Sequence, residues 1–208
     1  NPKGIARKLR SKMIEKKAMK QHGKASFPTA EERKRQEEYQ FNGEPVKFSI
    51  LVPLYNTPKK FLTEMIDSVL AQTYKNWELC LADGSDEAHK EVGEYCQKLA
   101  AEDSRIKYQK LEKNDGISGN TNECLKLATG EYIGLFDHDD ILHPSVLYEY
   151  VKVINEQDAD YIYCDETTFK NGSVDNMITL HFKPDYSIDN LRANNYICHF
   201  SCFKKDLL

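Results

Sequence analysis

The chain has 208 residues, of which 40% are hydrophobic and 30% charged, a composition typical of a globular protein with one principal core. It contains no apolar stretch of the roughly 20 residues that a membrane span needs, and no signal-peptide pattern opens it. Its six cysteines form no CxxC pair, which argues against a zinc site or a disulfide framework and favours a cytoplasmic protein.

The first 24 residues differ in charge from the rest. They hold nine Lys or Arg residues and one acid, although the whole chain carries a net charge of −4. Ile5, Leu9, Met13 and Ile14 are spaced roughly as one helical stripe, which predicts a basic amphipathic helix. Two roles stay open. Residues 1–24 could make peripheral contact with the anionic inner face of the plasma membrane, or their thin apolar stripe could dock on the protein itself.

A second charged segment, residues 29–40, begins with a capping-box pattern that predicts a short helix. The turn-forming sequence at residues 42–45 then interrupts the chain. We therefore expect a basic and charged helical extension over residues 1–46 and a globular domain over residues 47–208.

From residue 47 onward, β-type runs alternate with helical patterns. The predicted strands are Phe48–Val52, Trp77–Ala82, Arg105–Gln109, Tyr132–Phe136 and Tyr161–Cys164, and the helical patterns cover residues 61–70, 92–99, 119–129 and 144–157. This alternation predicts right-handed βαβ units, and hence an α/β, Rossmann-like, mostly parallel sheet flanked by helices.

Unusual polar sequences follow three of the predicted strands, at Pro53–Asn56, Asp83–Asp86 and Asp137–Asp140. Ligands of such sheets bind beyond the carboxyl ends of the strands, so we expect the three sequences to form one site. In the last, three carboxylates within four residues repel one another unless solvent, a proton or a cation compensates them. Mg²⁺ or Mn²⁺, shared with a substrate phosphate, would suit these oxygens. A solvated acidic turn is the alternative.

Several motifs, in the same order, resemble those of family 2 glycosyltransferases, whose nucleotide-binding α/β fold is called GT-A. The matching segments are Phe48–Asn56, Asp67–Tyr74, Ala82–Ser85, Gly116–Asn122 and Ala128–Asp140. The match covers about residues 47–165 and departs from the family at Ala82, where the DDGS element has its first acid. A looser resemblance, in residues 181–185 and 194–199, points to a rhamnan-type subgroup that builds bacterial polysaccharides of the cell wall or capsule.

The resemblance implies roles for individual residues. Asp83 matches the base-contacting acid, and Tyr55 offers a ring on which the base can stack. Asp139 would face the ribose or the metal. Asp140 would bind the Mn²⁺ or Mg²⁺ that bridges the diphosphate. Asp137 would support these two neighbours. The expected nucleotide-binding residues are Pro53, Tyr55, Asn56, Asp83, Asn114, Gly116, Asn122 and Asp139. The alternative to base stacking is that Tyr55 is an ordinary half-buried tyrosine. The alternative to nucleotide binding is that Asn114, Gly116 and Asn122 cap a helix or form a tight turn. His138 and His143 are not expected as ligands, because both ions prefer oxygen.

An inverting transfer also needs a carboxylate base, separate from the metal-binding acids, that removes the proton of the acceptor hydroxyl. In the family this acid lies well beyond the acidic cluster, so we expect it to fall after residue 208. Within the chain, the pair Asp165-Glu166 follows a predicted strand, and Asp165 is the candidate base. Two other roles stay open for this acid: support of the acceptor side of the site, and capping of a helix. If the base lies elsewhere, these 208 residues bind the donor but transfer sugar poorly.

The expected function is thus metal-assisted, inverting transfer of a sugar from a UDP- or dTDP-sugar to a glycan or lipid-linked acceptor, with no nucleic-acid partner. Two other functions stay open: a nucleotide-sugar-binding fragment without turnover, and a nucleotidyltransferase. The second is disfavoured because residues 55–58 contain no Gly-rich phosphate loop.

Overall fold

The computed structural model describes the backbone of residues 2–43 and 45–208 and the side chains of residues 8–23, 25–43, 45–174 and 176–208. The helices are α1 (Pro2–Ser26), α2 (Ala30–Glu37), α3 (Lys59–Leu70), α4 (Lys90–Glu102), α5 (Gly116–Leu127), α6 (Val146–Gln157) and α7 (Ile188–Ala193). The strands are β1 (Phe48–Leu54), β2 (Trp77–Asp83), β3 (Ile106–Lys110), β4 (Tyr132–Leu135), β5 (Tyr161–Ile162), β6 (Glu166–Lys170), β7 (Ser173–His181) and β8 (Ser201–Lys204). Among these helices we find none with the length and hydrophobicity of a membrane span.

One compact unit, Ala30–Tyr163 with Cys198–Leu208, is built around a six-stranded sheet and is called the sheet unit. The strand order is β3-β2-β1-β4-β8-β5. Strands β3, β2, β1 and β4 are parallel, whereas β8 runs antiparallel to both β4 and β5. The predicted α/β class with a mostly parallel sheet is therefore confirmed.

The core of the sheet unit follows from the hydrophobic pattern. Strands β1 and β2 are buried along almost their whole length, as expected where helices flank a parallel sheet. Helix α3 buries Leu62, Met65, Ile66 and Val69, which are spaced as one helical face; each such burial contributes about 1.5–3 kcal/mol.

Most of the cysteines belong to this core. All six are free, and four of them are buried. Burial raises the pKa of the thiols of Cys80, Cys96 and Cys124 to about 12. These three side chains therefore remain protonated and act as small hydrophobic groups.

Gly134 in β4 lies directly against Phe200, and a Cβ atom added at this position would overlap the Phe200 ring. The ring cannot easily retreat, because it is buried and packs against Phe136 and Tyr150. We expect Gly134→Ala to lower the free energy of unfolding by about 1–3 kcal/mol, measured by urea denaturation. Adding Phe200→Leu should restore part of that loss. An alanine variant as stable as the original protein would contradict this packing.

The other compact unit, Asn1–Thr29 with Cys164–Ile197, is called the hairpin unit. It contains α1, the antiparallel pair β6–β7 and α7, and α1 packs against β7. The sequence did not predict the hairpin or α7. Strand β6 is only partly buried and α7 has no buried residue, so neither carries the hydrophobic periodicity on which such a prediction depends.

Helix α2 belongs to the sheet unit, although the sequence placed it in the extension. Nη2 of Arg33 donates to the carbonyl oxygen of Ala71 at 2.8 Å, and Oε1 of Gln36 accepts hydrogen bonds from the hydroxyls of Thr73 and Ser145 at 3.0 and 2.9 Å. The two units thus divide the chain differently from the expected boundary at residue 46. A separately folded domain over residues 47–208 stays a prediction.

Helix α1 leaves its apolar stripe exposed. Leu9, Met13 and Ile14 are 59%, 73% and 62% exposed, and the side chain of Ile5 lies outside the described residues. Membrane contact and docking on the protein itself both stay predictions for this stripe.

Candidate active site

The three polar sequences after β1, β2 and β4 meet at one rim of the sheet. Strand β1 lies between β2 and β4 and is parallel to both, with Leu54 paired to Asp83 at the end of β2. Neighbouring strands lie about 4.8 Å apart, so the ends of β2 and β4 are separated by roughly 10 Å. The rim therefore places Asp83 on one side of β1 and the acidic sequence Asp137–Asp140 on the other.

The loops after β1 and β2 are joined by reciprocal hydrogen bonds. Nδ2 of Asn56 donates to Asp86 at 3.0 Å, and the backbone N–H of Asp86 donates to Oδ1 of Asn56 at 3.1 Å. The backbone N–H of Asn56 donates to the Ser85 hydroxyl at 2.8 Å. Asn56 has a left-handed backbone, with φ of +49°, which Asn tolerates better than most residues. Tyr55 lies between Pro53 and Asn56 in the sequence, and it is 47% exposed.

The side chain of Asp83 sets the conformation of the loop that follows it. The residue is only 1% exposed, and its carboxylate accepts hydrogen bonds from the backbone N–H of Ser85 at 2.8 Å and the hydroxyl of Tyr108 at 2.9 Å. Burial, together with the hydrogen bond to Asp83 and its charge, raises the pKa of Tyr108, so Tyr108 remains a donor. Nζ of Lys110 lies 3.6 Å from the same carboxylate. Contact of Asp83 with a nucleobase stays a prediction.

We expect Asp83→Asn to weaken the binding of uracil or thymine nucleotides by about 1–3 kcal/mol, the cost of a buried polar group that loses a partner. Isothermal titration calorimetry with UDP measures this. Tyr108→Phe is the matched control, because it removes one donor to Asp83 but keeps the carboxylate. If Asp83→Asn binds UDP as tightly as the original protein, neither loop positioning nor base contact by Asp83 matters for the nucleotide.

The loop before α5 is held by amide side chains. Oδ1 of Asn114 accepts hydrogen bonds from the backbone N–H of Gly116 at 3.1 Å and from Nδ2 of Asn120 at 2.9 Å. Gly116 has a φ of +75°, a conformation that glycine adopts at little cost. Gly84, in the loop after β2, lies so close that a Cβ atom there would be 2.9 Å from Nδ2 of Asn120. The structure therefore brings Asn114 and Asn120 to the loop that follows Asp83, and Gly116 is hydrogen-bonded to Asn114.

The acidic sequence forms a tight turn in which two of its three acids face a histidine. The backbone N–H of Asp140 donates to the carbonyl oxygen of Asp137 at 3.4 Å. Nδ1 of His199 lies 3.5 Å from an oxygen of each of these two carboxylates. One ligand atom from each of the three residues lies within 4.8 Å of the others. Two carboxylates and an imidazole fit a divalent cation chemically. Asp139 is exposed and is not part of this group.

The segment after the acidic turn is fixed by the end of α3. The Ser68 hydroxyl accepts a hydrogen bond from the backbone N–H of Leu142 at 3.0 Å. The fully buried Gln72 donates to the carbonyl oxygen of His143 at 2.8 Å and accepts from the backbone N–H of Leu147 at 3.2 Å. This helix end, part of a motif that carried the family resemblance, thus determines the path of the chain as it leaves the turn.

Two of the predicted site residues are placed elsewhere or without a visible role. Asn122 is exposed on α5. Asp165 belongs to the hairpin unit, where its carboxylate accepts the backbone N–H of Lys183 at 2.7 Å. Their assigned roles stay predictions. The residues at the rim that sequence reasoning did not place there are Tyr108, Lys110, Asn120 and His199.

A mostly parallel sheet with polar side chains along the rim where its strands end defines an α/β fold of the class that binds ligands at that rim. Residues 49–208 match Glycosyl transferase family 2, and the chain belongs to that family. The family expected from the motifs is therefore confirmed.

Three known proteins illustrate the relationship. The chain is 42% identical over 161 residues to the uncharacterized protein y4gI of Sinorhizobium fredii, covering 77% of this chain and 17% of that protein. It is 34% identical over 128 residues to WfgD of Escherichia coli, a UDP-Glc:alpha-D-GlcNAc-diphosphoundecaprenol beta-1,3-glucosyltransferase. This match covers 61% of this chain and 48% of WfgD. The crystal structure of residues 1–349 of S. aureus TarS with UDP is 30% identical, covers 61% of this chain and 37% of that one, and superposes with a TM-score of 0.50.

The structural likeness to TarS confirms the GT-A fold. The chain spans less than half the length of each of these three proteins.

Proposed function

We propose that the protein is an inverting glycosyltransferase that moves a sugar from a nucleoside-diphosphate sugar to a cell-surface glycan acceptor with the help of a divalent cation. The observation that carries this proposal is the shared rim, on which the loop set by Asp83 and the acidic turn of Asp137–Asp140 lie on either side of β1. A nucleotide bound along the rim would have its base toward Asp83 and its diphosphate toward the turn.

The donor proposed is a UDP- or dTDP-sugar. The exposed ring of Tyr55 would stack on the base, with Pro53 and Asn56 shaping the loop around it. The carboxylate of Asp83 would accept the N3–H of uracil or thymine. Asn114, Gly116 and Asn122 would line the same side. The UDP bound to TarS and the UDP-Glc in the name of WfgD support a uridine nucleotide.

The acidic turn would hold the diphosphate. Asp139 and Asp140, with Asp137 beside them, would position Mn²⁺ or Mg²⁺ against the phosphate oxygens, and Asp139 would also reach the ribose. The cation would neutralise the negative charge that develops on the departing nucleoside diphosphate. Since that charge appears in the transition state, a turn whose following segment is held in place by Ser68 and Gln72 would keep the cost of reorganisation low.

The acceptor side would require a base that takes the proton of the attacking hydroxyl. Asp165 is the candidate within the described residues, and an acid elsewhere in a longer protein is the alternative. The acceptor proposed is a glycan, free or lipid-linked. The polyprenyl diphosphate acceptor in the name of WfgD supports the lipid-linked form.

Release of nucleoside diphosphate from UDP-glucose, UDP-GlcNAc and a dTDP-sugar, with and without Mn²⁺ and with a GlcNAc-diphosphate lipid acceptor, tests the proposal. Acceptor-dependent release from at least one donor would support transfer. Donor binding without release would instead favour a nucleotide-sugar-binding unit. Asp165→Asn should lower release roughly 10²–10⁴-fold if Asp165 is the base. Asp189→Asn, at an exposed acid of the same unit, should have no effect.

We also propose that α1 contacts the anionic inner face of the plasma membrane, because its basic residues accompany an exposed apolar stripe. Each lysine near such a surface contributes about 1 kcal/mol, so Lys12→Gln with Lys16→Gln should weaken binding to phosphatidylserine vesicles by roughly 30-fold. Lys90→Gln with Lys98→Gln on α4 is the matched control. Sedimentation with vesicles at two salt concentrations measures the effect. Equal binding by both double variants would contradict it.

A further inference from the structure

We propose that a groove on the sheet unit, formed by residues of the segment 36–45 and of the loop 73–76, binds a neutral glycan. It is named the aromatic groove. The groove is separate from the rim of the candidate active site and takes no part in the transfer reaction. The inference rests on the proposed function for the class of ligand, since an enzyme that extends a glycan works on a chain longer than the one sugar it adds.

The aromatic groove lies at the edge of the sheet opposite to the rim. Pro45 shortly precedes β1, and Asn76 directly precedes β2, so the groove lies where these parallel strands begin, whereas the rim lies where they end. Both strands have seven residues, which at about 3.3 Å per residue places the groove roughly 20 Å from the rim. A small ligand in the groove therefore does not reach the reacting atoms.

The size and the aromatic lining of the groove suit a small sugar. Its cavity has a volume of about 390 Å³, within the range of about 300–1,000 Å³ that small-molecule sites occupy. Tyr39, Phe41 and Tyr74 line it, and Tyr39 is 47% exposed. The C–H groups on the face of a sugar ring are apolar, so they can pack on the apolar body of an aromatic ring while the hydroxyls stay polar.

Carboxamide side chains supply the polar contacts that a sugar needs. Gln36, Gln40 and Asn76 line the groove. Within the described residues, Nε2 of Gln36, Oε1 of Gln40 and the hydroxyl of Tyr39 have no hydrogen-bond partner. These groups are a donor, an acceptor and a group that is both. A sugar hydroxyl also donates and accepts, so this mixed set matches it.

The charge of the groove favours a neutral ligand. Its charged lining residues, among those described, are Glu37 and Lys75, whose carboxylate and ammonium groups lie 3.3 Å apart. A nucleotide or an anionic lipid would find no unpaired positive charge in this lining. An alkyl chain would cover the charged pair and the carboxamides without offering them hydrogen bonds, which is costly. A neutral, hydroxyl-rich molecule avoids both costs.

The walls of the groove are held in place by the rest of the sheet unit. The ring of Phe41 packs against Tyr74 and Tyr148, with centroids 5.6 and 5.4 Å away. The ring of Tyr39 in turn packs against Phe41 at 4.8 Å. The hydroxyl of Tyr74 donates to the carbonyl oxygen of Val46 at 2.6 Å. A site whose walls are already ordered binds its ligand at a lower entropic cost.

A glycan held in the groove would raise the local concentration of acceptor at the enzyme. When one segment of a polymer is bound, the binding of its other segments becomes intramolecular. A polysaccharide held by the groove would therefore present its end to the rim more often than a free chain does.

The test is a titration of the isotope-labelled 208-residue protein with neutral disaccharides of N-acetylglucosamine, rhamnose and glucose, followed by the backbone amide signals in nuclear magnetic resonance spectra. We expect at least one disaccharide to shift the signals of residues 39–41 and 73–76 in a saturable manner. The sample contains no nucleotide, sugar donor or divalent cation, so the result does not depend on whether the protein binds a donor or transfers sugar.

Tyr39→Ala is the main variant, because it removes the exposed ring. Its affinity for the disaccharide should fall at least about tenfold, as expected for an aromatic residue on which a ligand packs, whereas Tyr39→Phe keeps the ring and should lose less. Gln40→Ala, at an exposed position, should weaken binding roughly threefold to tenfold. Phe61→Ala, at an exposed aromatic residue of α3 outside the groove, is the matched control and should bind like the original protein.

Near-UV circular dichroism checks that each variant is folded, and Gln40→Ala decides if Tyr39→Ala is not. The proposal would be overturned by the absence of shifts with all of the disaccharides, by shifts confined to the rim, or by equal binding in Tyr39→Ala and the original protein. A dimer, detected by sedimentation velocity, that dissociates in Tyr39→Ala would also overturn it, because a second copy would then cover the groove.

Discussion

Asp140→Ala should remove the Mn²⁺-dependent part of nucleoside diphosphate binding while leaving the fold intact. Asp140 contributes a carboxylate to the only turn of the sheet unit, within the described residues, where two acids and a histidine converge. Removing it would leave the other acids of the turn, Asp137 and Asp139, to hold the ion. Loss of even a supporting group typically costs 10–100-fold in metal affinity, so we expect at least that loss for a direct ligand.

Calorimetric titration with UDP or dTDP, with and without Mn²⁺, measures the effect of Asp140→Ala. Asp67→Ala, an exposed acid on α3, is the matched control and should bind like the original protein. A variant at Asp140 whose affinity still rises on addition of Mn²⁺ to the same extent would show that the cation is held elsewhere.

Glu78→Gln should lower the free energy of unfolding by about 3 kcal/mol, because it breaks a buried ionic network. Glu78 is almost fully buried in β2, and its carboxylate lies 2.6 Å from Nζ of Lys47 and 2.9 Å from Nζ of Lys107. It also accepts hydrogen bonds from Ser49 and Thr129. Glutamine would offer one acceptor oxygen in place of two and would turn an NH₂ group toward the lysines. Both lysines reach solvent, which keeps the loss at the lower end of the range for buried pairs.

This network also predicts a pH dependence. Burial alone would raise the pKa of Glu78, but the hydrogen bonds from Lys47, Lys107, Thr129 and Ser49 outweigh it and hold that pKa well below its ordinary value of 4.5. The group is therefore more acidic in the folded than in the unfolded chain. Its stabilisation is fully present above about pH 4.5 and is lost as the pH falls through the lowered folded-state pKa.

Urea unfolding of Glu78→Gln and the original protein at neutral pH and at pH values below 4.5 checks both expectations. The stability difference should be largest at neutral pH and should shrink in acid. Glu149→Gln, which breaks the exposed pair with Lys152, is the matched control and should cost less than about 1 kcal/mol. A stability difference for Glu78→Gln that does not depend on pH would contradict a charged role for this residue.

The parts of the fold that the sequence predicted are those in which local pattern and burial agree. Strands β1 and β2 are continuous apolar runs, and α3 repeats its buried residues at helical spacing. The polar sequences after β1, β2 and β4 lie together because parallel strands end at one edge, a consequence of topology that the alternation of elements already implied.

The parts that the sequence did not predict depend on contacts between distant segments. Strand β8 is short and joins the sheet between β4 and β5, so His199 reaches the acidic turn only through a pairing that no local pattern encodes. Tyr108 and Asn120 hold neighbouring loops, and each resembles an ordinary strand or helix residue in the sequence. The proximity of Asp137 and Asp140 to His199 depends on the fold of the turn, while the predicted metal roles of Asp139 and Asp140 stay predictions.

The most direct test of the central claim is the binding of UDP, dTDP and GDP to this 208-residue protein, each measured by calorimetry with and without Mn²⁺. The rim described above predicts that UDP and dTDP bind, that Mn²⁺ strengthens both, and that GDP binds more weakly because its purine is larger than the pyrimidine proposed to lie between Asp83 and Tyr55. Binding that shows neither a preference among the bases nor a dependence on Mn²⁺ would contradict a nucleotide site at this rim.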